Sequence, residues 1–267
     1  MKNIGTMPGH VAAGIQVVLA DIDDTITTEG RLTARAYGAL EALRNIGIKV
    51  APVTGRPAGW CDMIARFWPV DGVIGENGAF YYSYDANTRQ MIRKYHPAME
   101  EHINNPARFD RIRERLKTEV PGADISADQP FRMDDLAVDF CEDVPPLNEA
   151  DIKRIKDIFE EEGGVAKISS IHVNGWFGNY DKMSMSRAFV KDRLGMDIDA
   201  QNDAFVFVGD SPNDAPMFAA FNQSCGVANV MDFKGTLPAE PTWVASHKGG
   251  EGFVEIAEKI IAARTAT

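Results

Sequence analysis

The run Val17-Val18-Leu19-Ala20 is apolar at every position and stops abruptly at Asp21-Ile22-Asp23-Asp24. Such a run predicts a strand buried on both faces, with carboxylates at its C-terminal end. Residues 33–46 follow with Leu40, Leu43 and Ile46 at helical spacing, and Gly47 stands where a helix C-terminus favours glycine. A second strand is predicted over residues 48–53, ending at Thr54-Gly55-Arg56. A third, Gly72-Val73-Ile74, runs into Glu76-Asn77-Gly78. Strand, helix and strand in this order predict a right-handed βαβ unit on a parallel sheet.

Beyond about residue 84 the pattern changes. Residues 98–118 and 148–162 alternate charges in the manner of exposed helices. Residues 136–140 and 166–173 place bulky apolar side chains at alternate positions, which predicts an antiparallel sheet with one wet face. The βα rhythm then returns: a helix over 183–194, a strand over 204–208 ending in Gly209-Asp210, and a helix near 213–220. Residues 225–230 and 242–245 read as further strands, and 251–264 as a closing helix. The expected architecture is a doubly wound parallel α/β core, residues 1–83 and 179–267, interrupted by an α+β insertion over 84–178. No internal repeat or low-complexity tract is visible.

At 267 residues the chain is long enough for such a two-part organisation. Its net charge of −11 argues against a nucleic-acid partner and against an anionic membrane surface. Three widely spaced cysteines, Cys61, Cys141 and Cys225, form neither a disulfide framework nor a CxxC knuckle. No apolar run reaches membrane-span length, and the N-terminus lacks the pattern of a signal peptide. A cytoplasmic protein, monomeric or weakly dimeric, is the expectation.

Ligands of doubly wound sheets bind outside the carboxyl ends of the strands. Three predicted strands end there in polar residues, namely Asp21 with Asp23, Thr54, and Asp210, while Lys182 precedes the helix leading to the last. Each piece alone has an ordinary structural reading. Asp-x-Asp serves as a turn or cap, Thr54-Gly55 as a turn, Lys182 as a surface charge, and Ser211 or Asp210 as an N-cap before Pro212. Their joint occurrence at strand ends predicts a site. Asp21 would be a carboxylate nucleophile, and Asp23 would exchange protons with a departing oxygen and then with water. Like charges about 4 Å apart cost on the order of 4 kcal/mol per pair at an effective dielectric of about 20. Asp21, Asp210 and Asp214 around a phosphate therefore ask for more than Lys182. Oxygen ligands of this kind suit Mg²⁺. The Thr54 hydroxyl and the amides of Gly55 and residues 23–25 would hold the phosphate oxygens.

The set Asp21-x-Asp23-x-Thr25, Thr54, Lys182 and Gly209-Asp210-x-x-Asn213-Asp214 resembles the haloacid dehalogenase (HAD) superfamily. Thr54-Gly55-Arg56, Asn77-Gly78-Ala79 and the stretches 226–229 and 250–253 resemble its Cof-like branch. That branch includes phosphatases of sucrose phosphate, trehalose phosphate and mannosyl-3-phosphoglycerate; Ser211–Pro216 is most similar to the last. The resemblance implies a Rossmann-like core with an inserted cap domain, and phosphate-monoester hydrolysis through an aspartyl-phosphate. It implies Mg²⁺ held by the Asp21 side chain, the Asp23 backbone carbonyl and Asp210, with Asn213 and Asp214 in or next to that set. Two positions depart from the pattern. Asp24 stands where many members have glycine and is expected to point away from the metal, and Met183 follows Lys182 in place of glycine. Lys167 and Lys191 are rivals for the role of Lys182.

Within the insertion, Arg132, Lys167, Ser169, Ser170, His172 and Asn174 are candidates for contacting a small phosphorylated metabolite, as are Thr25, Gly55, Arg56 and Asn213 in the core. An ordinary solvated sheet face explains the insertion residues equally well, and a surface salt bridge explains Arg56. Trp60 and Trp176 read as packing residues. Two other activities use similar residues: a phosphotransferase or phosphomutase passing the phosphoryl group to a sugar, and a phospho-accepting signalling module. The second is about half this size and separates its acidic pair from the phosphorylated aspartate.

Overall fold

A computed structural model describes residues 1–102 and 106–266. Its centre is a six-stranded sheet in the order Lys2–Asn3, Trp243–Val244, Gln223–Gly226, Phe205–Gly209, Val17–Ala20 and Lys49–Pro52. Every neighbouring pair in it is parallel. The apolar run at residues 17–20 is buried throughout, as a central parallel strand requires. Helices Ala34–Asn45 and Gly249–Thr265 cover one face together with Gly9–Gly14, and Lys182–Phe189 and Ala215–Ala220 pack on the other. Successive strands leave Val17–Ala20 in opposite directions, 49–52 to one side and 205–209 to the other. A topological switch point therefore lies beside Val17–Ala20.

Register aligns the strand ends. Ala20 sits opposite both Val208 and Pro52, and the ladder continues through Asp21 N–H to the Val208 carbonyl and Val53 N–H to the Ala20 carbonyl. A bridge from Val53 to Ile74 carries the sheet on to Val73–Gly75, the start of an antiparallel unit with Phe80–Asp85 and Gln90–Tyr95. The sequence pattern predicts no strands at 80–95. Tyr, Phe and Ser there do not alternate cleanly, because this hairpin buries residues 80–83 on both faces. Residue 84, where the insertion was expected to begin, falls inside that first strand.

A four-stranded antiparallel sheet, in the order Asp124–Ile125, Leu136–Asp139, His172–Trp176, Val165–Ile168, carries helices Pro106–Glu119 and Glu149–Glu161. Ile112, Leu116, Ile155, Ile158 and Phe159 fill a hydrophobic cluster of its own with Leu136, Val138 and Val173. Two expectations for the insertion need correction. The run 166–173 is not one strand but two, joined by a turn in which Ser169 Oγ accepts the His172 amide. The one-wet-face expectation fails for strands 136–139 and 172–176, which are buried throughout, because their second face carries polar residues turned toward the main sheet. In the stretch 98–118, Pro97–His102 and Pro106–Glu119 are helical as expected, and residues 103–105 lie outside the described residues. Further along, residues 190–194 form a π-helical turn after Lys182–Phe189, and 228–233 are 3₁₀ helix instead of strand. Among the described residues no helix is long and apolar enough to cross a membrane.

Candidate active site

Asp21 leaves the central strand at the switch point, and Asp210 leaves its neighbour one residue after Gly209. With Asp214, at the end of the 3₁₀ turn Pro212–Asp214, they form a buried group whose nearest carboxylate oxygens lie within 4.8 Å of one another. Lys182, first residue of its helix, reaches in from the face that Ala215–Ala220 also covers. Its ammonium lies 3.2 Å from Asp21, 2.9 Å from Asp214 and 3.4 Å from Asn213 Oδ1. Asp181 caps that helix by accepting the Ser184 amide, which fixes where Lys182 starts. Thr25 donates its hydroxyl to Asp210 at 3.2 Å. The rivals Lys167 and Lys191 are both exposed.

The charge balance is unfavourable for the bare protein. Burial, then Asp214 and Asp23, push the Asp21 carboxyl up to about 7 in spite of Lys182. Burial, Asp214, Asp21 and Asp24 likewise hold Asp210 far above the carboxylate range. For Lys182 burial disfavours the charge, but Asp21 and Asp214 outweigh it and raise its pKa. Three carboxylates facing one ammonium are a hard-oxygen donor set that a divalent cation such as Mg²⁺ fits. Asp214 is the most committed of the three. One of its oxygens takes Lys182 and the other the Asp210 amide at 3.1 Å.

The other expected residues divide by position. Thr54 is wholly buried at the end of the second strand, and its Oγ1 accepts the Arg56 amide at 3.0 Å, leaving its own proton to give. Asp23 turns its carboxylate to Arg56, whose Nε and Nη2 donate to it at 2.9–3.1 Å. Its side chain is thus outside the acidic group, although both it and Asp21 line one small cavity. That cavity, of about 20 Å³, is also lined by Gly55, Arg56, His172, Asn174 and Asn213. Asp24 has a left-handed backbone, φ 53°, the region that favours glycine.

Across the cavity, the insertion's polar residues are already bonded. Arg132 is held by Asp128, Asp135 and the Gly55 carbonyl, and Asn174 donates to Asp135 at 2.9 Å. Ser169 and Ser170 line the cavity. Lys167 lies apart, on the wall of a neighbouring cavity of about 210 Å³ that shares Asn77 and Asn213 with the first. Trp176 packs on Tyr180, and Trp60 lies under the Arg56 guanidinium.

Three residues went unanticipated in any role. Glu142 bonds Arg56 at 3.0 Å and lies 2.9 Å from His172 Nε2. His172, followed by Arg56, holds its carboxyl at about 2 against the effect of burial. Asp128 pairs with Arg132 and approaches Arg56 at 3.6 Å. Glu76 accepts the amides of Ala58, Met133 and Asp134 at 2.8–2.9 Å, joining the end of strand 73–75 to the insertion. Glu142 and Asp128 sit in loops with no periodicity to expose them. Glu76 had a signal, since it ends a predicted strand at the site's rim.

A family model for haloacid dehalogenase-like hydrolases matches residues 18–117. No curated protein matches the chain. Solved structures share its fold at low identity. A protein of Thermoplasma acidophilum is 18% identical with a TM-score of 0.70, over 93% of this chain and 99% of that one. A putative HAD/Cof-like hydrolase from Plasmodium vivax is 16% identical with a TM-score of 0.67, over 96% and 99%. The sucrose-phosphatase of Synechocystis sp. PCC6803, solved with sucrose and phosphate, is 14% identical with a TM-score of 0.61, over 92% and 98%.

Proposed function

From a fold that is that of the HAD/Cof-like hydrolases, and a family match over residues 18–117, we propose that this chain is a Mg²⁺-dependent phosphatase of a small phosphate monoester, a sugar phosphate above all. The observation that carries this reading is the buried group Asp21, Asp210, Asp214 and Lys182 at the switch point of the sheet.

In this reading an Asp21 oxygen attacks phosphorus, the ester P–O bond breaks, and the leaving oxygen takes a proton from Asp23. Water then attacks the aspartyl-phosphate, gives its proton to Asp23 and releases orthophosphate. Lys182 holds Asp21 in place, and the Thr54 hydroxyl with the amides of Asp23 and Gly55 receives the phosphoryl oxygens, since the amides of Asp24 and Thr25 are taken by Thr27 Oγ1 and the Ile22 carbonyl. Both Asp23 oxygens accept from Arg56, so delivering a proton requires one of them to turn out of that pairing. Mg²⁺, held by Asp21, Asp210 and the Asp23 carbonyl with Asp214 beside them, would supply the positive charge that the carboxylates and phosphate lack.

Residues 84–178 would act as a cap over the site. A cavity of about 20 Å³ has room for about one water, so admitting substrate requires the layers to part. The leaving group has to lie on the Asp23 side, where a further cavity of about 220 Å³ is lined by Asp23, Asp24, Glu29 and Glu142 beside Arg56. Arg56 is already bonded to Asp23 and Glu142, an arrangement that favours a neutral polyol over a leaving group with a second anion. The three free cysteines suit a reducing compartment, the cytoplasm.

The test is phosphate release from a panel of sugar and nucleotide monophosphates with Mg²⁺, beside Asp21→Asn. Wild-type turnover is expected to fall by at least about a thousandfold in Asp21→Asn, as for loss of a covalent nucleophile. Retained turnover in that variant refutes Asp21 as the nucleophile. Release that depends on a bisphosphate activator would identify a mutase.

A further inference from the structure

The turn Glu76-Asn77-Gly78 follows the strand Val73–Gly75, the fourth strand end at the rim of the site, and the mechanism above makes no use of it. Its backbone is left-handed at three successive residues, with φ of 42°, 55° and 108°. Asparagine tolerates that region better than most residues, but three in a row persist only where the surroundings impose them. The surroundings here are explicit. Glu76 is fastened by the amides of Ala58, Met133 and Asp134, and the Asn77 amide donates to the Thr54 carbonyl at 3.0 Å. Gly78 lies so close to the residue before Lys182 that a Cβ on it would fall 2.0 Å from the Asp181 carbonyl oxygen.

The outcome is a side chain set between Thr54-Gly55 and the Lys182 helix. Asn77 is 6% exposed, and its Nδ2 is buried without a hydrogen-bond partner among the described residues. That amide sits 3.1 Å from where a Cβ on Gly55 would be, so it lies against the segment whose Thr54 hydroxyl and Gly55 amide hold the phosphate in the reading proposed above. With Asn213, Asn77 lines both the small cavity containing Asp21 and the larger one beyond Lys182. A buried N–H₂ group left without an acceptor is costly, and native proteins rarely carry one with no use for it. The acceptor missing here is one that arrives with a ligand.

We propose that Asn77 is a substrate-contacting residue whose side-chain amide donates to an oxygen of the transferring phosphoryl group. The proposal rests on the phosphatase reading for its ligand. It adds to Thr54, Gly55 and Lys182 a neutral donor on a separate strand end, which lowers the charge of the site no further while satisfying one more phosphoryl oxygen.

Two variants keep the backbone. Asn77→Gly retains the left-handed conformation and removes the amide; Asn77→Asp retains the shape and replaces a donor with an anion. Both are expected to melt close to wild type and to lose about a hundredfold in kcat/KM on p-nitrophenyl phosphate, with Asn77→Asp losing more. Independently, the ¹H–¹⁵N signals of the Asn77 side-chain amide, identified by their absence from Asn77→Gly, should move on adding orthophosphate with Mg²⁺ to the full-length protein. They should not move with Mg²⁺ alone. Wild-type kcat/KM in Asn77→Gly, or signals that stay put when orthophosphate and Mg²⁺ are added, would overturn the proposal and assign the amide to a buried water. A wild-type protein that hydrolyses no monoester but shows the shift would sink the phosphatase reading while supporting Asn77 as a phosphate ligand.

Discussion

Glu142 shows how a single side chain can tie the inserted layer to the core. It bonds Arg56, itself paired with Asp23, and stands beside His172 from the next strand. Its carboxyl is held near 2, below its ordinary value of 4.5, by His172 first and then Arg56. A carboxyl depressed in the folded state contributes stability above its unfolded pKa and loses it as pH falls through the folded one. The window is therefore pH 4.5 down to about 2. Glu142→Gln is expected to melt below wild type at pH 6, with the gap clearly narrower at pH 3. Thermal melts of the two proteins at both values check this, and a gap independent of pH would mean that Glu142 acts by packing alone. Arg56, Asp23 and His172 stood out in the sequence as candidates, but the carboxylate that joins them did not. Glu142 sits in the loop 140–148, where no period marks one acidic residue from its neighbours, and Arg56 read as well as a surface ion pair as a site residue. It is the fold that makes its guanidinium the meeting point of three carboxylates.

At the level of elements, the strands that end in chemistry were the easiest to read. Val17–Ala20 and Phe205–Gly209 are apolar because both faces are covered, so the switch to Asp21 and Asp210 stands out. Lys182 was recoverable because it stands at the start of the helix that leads to the Asp210 strand. Less legible were elements whose second face meets other protein. The 80–95 hairpin shows no clean alternation because residues 80–83 are buried on both faces, and the alternation over 166–173 conceals a turn between two strands. The turn 76–78 belongs to this group, and Gly78 is its most constrained position. Gly78→Ala places a methyl against the Asp181 carbonyl at φ 108° and is expected to destabilise by about 2–3 kcal/mol. It should also cut turnover by shifting Lys182 relative to Asp21. Chemical denaturation and kcat together test this. A stable variant with lowered kcat would place the strain at Lys182, and an unchanged variant would show that the turn can relax.

For the molecule as a whole, the buried carboxylates are a source of instability that a cation should remove. Mg²⁺ at about a hundred times its Kd is worth about 2.7 kcal/mol, or a rise of about 5–10 °C in Tm for a chain of this length. Asp210→Asn keeps an acceptor for the Thr25 hydroxyl and removes one of three like charges. It is expected to melt above wild type in EDTA and to lose most of the Mg²⁺-induced rise. Differential scanning fluorimetry with and without Mg²⁺ decides. An equal rise in both proteins would put the ion elsewhere. The overall design was visible before the structure in its order of elements, a parallel core resuming after an insertion. The contact between the two layers was not, because it is made by residues 56, 76, 132 and 142, which no local pattern connects.

One carboxylate, Glu76, accepts backbone amides from both sides of that contact. If residues 84–178 act as the lid proposed above and the residue 133–134 backbone moves with it, Glu76 gives up its bonds on one side, and the residue losing its restraint is the immediate neighbour of Asn77. Occupancy of the pocket and docking of the lid would then be two readings of one event. An anion that fills the pocket should rigidify the far layer, and an antibody or crosslink that props the lid open should weaken the grip on free phosphate without touching a single group that holds it.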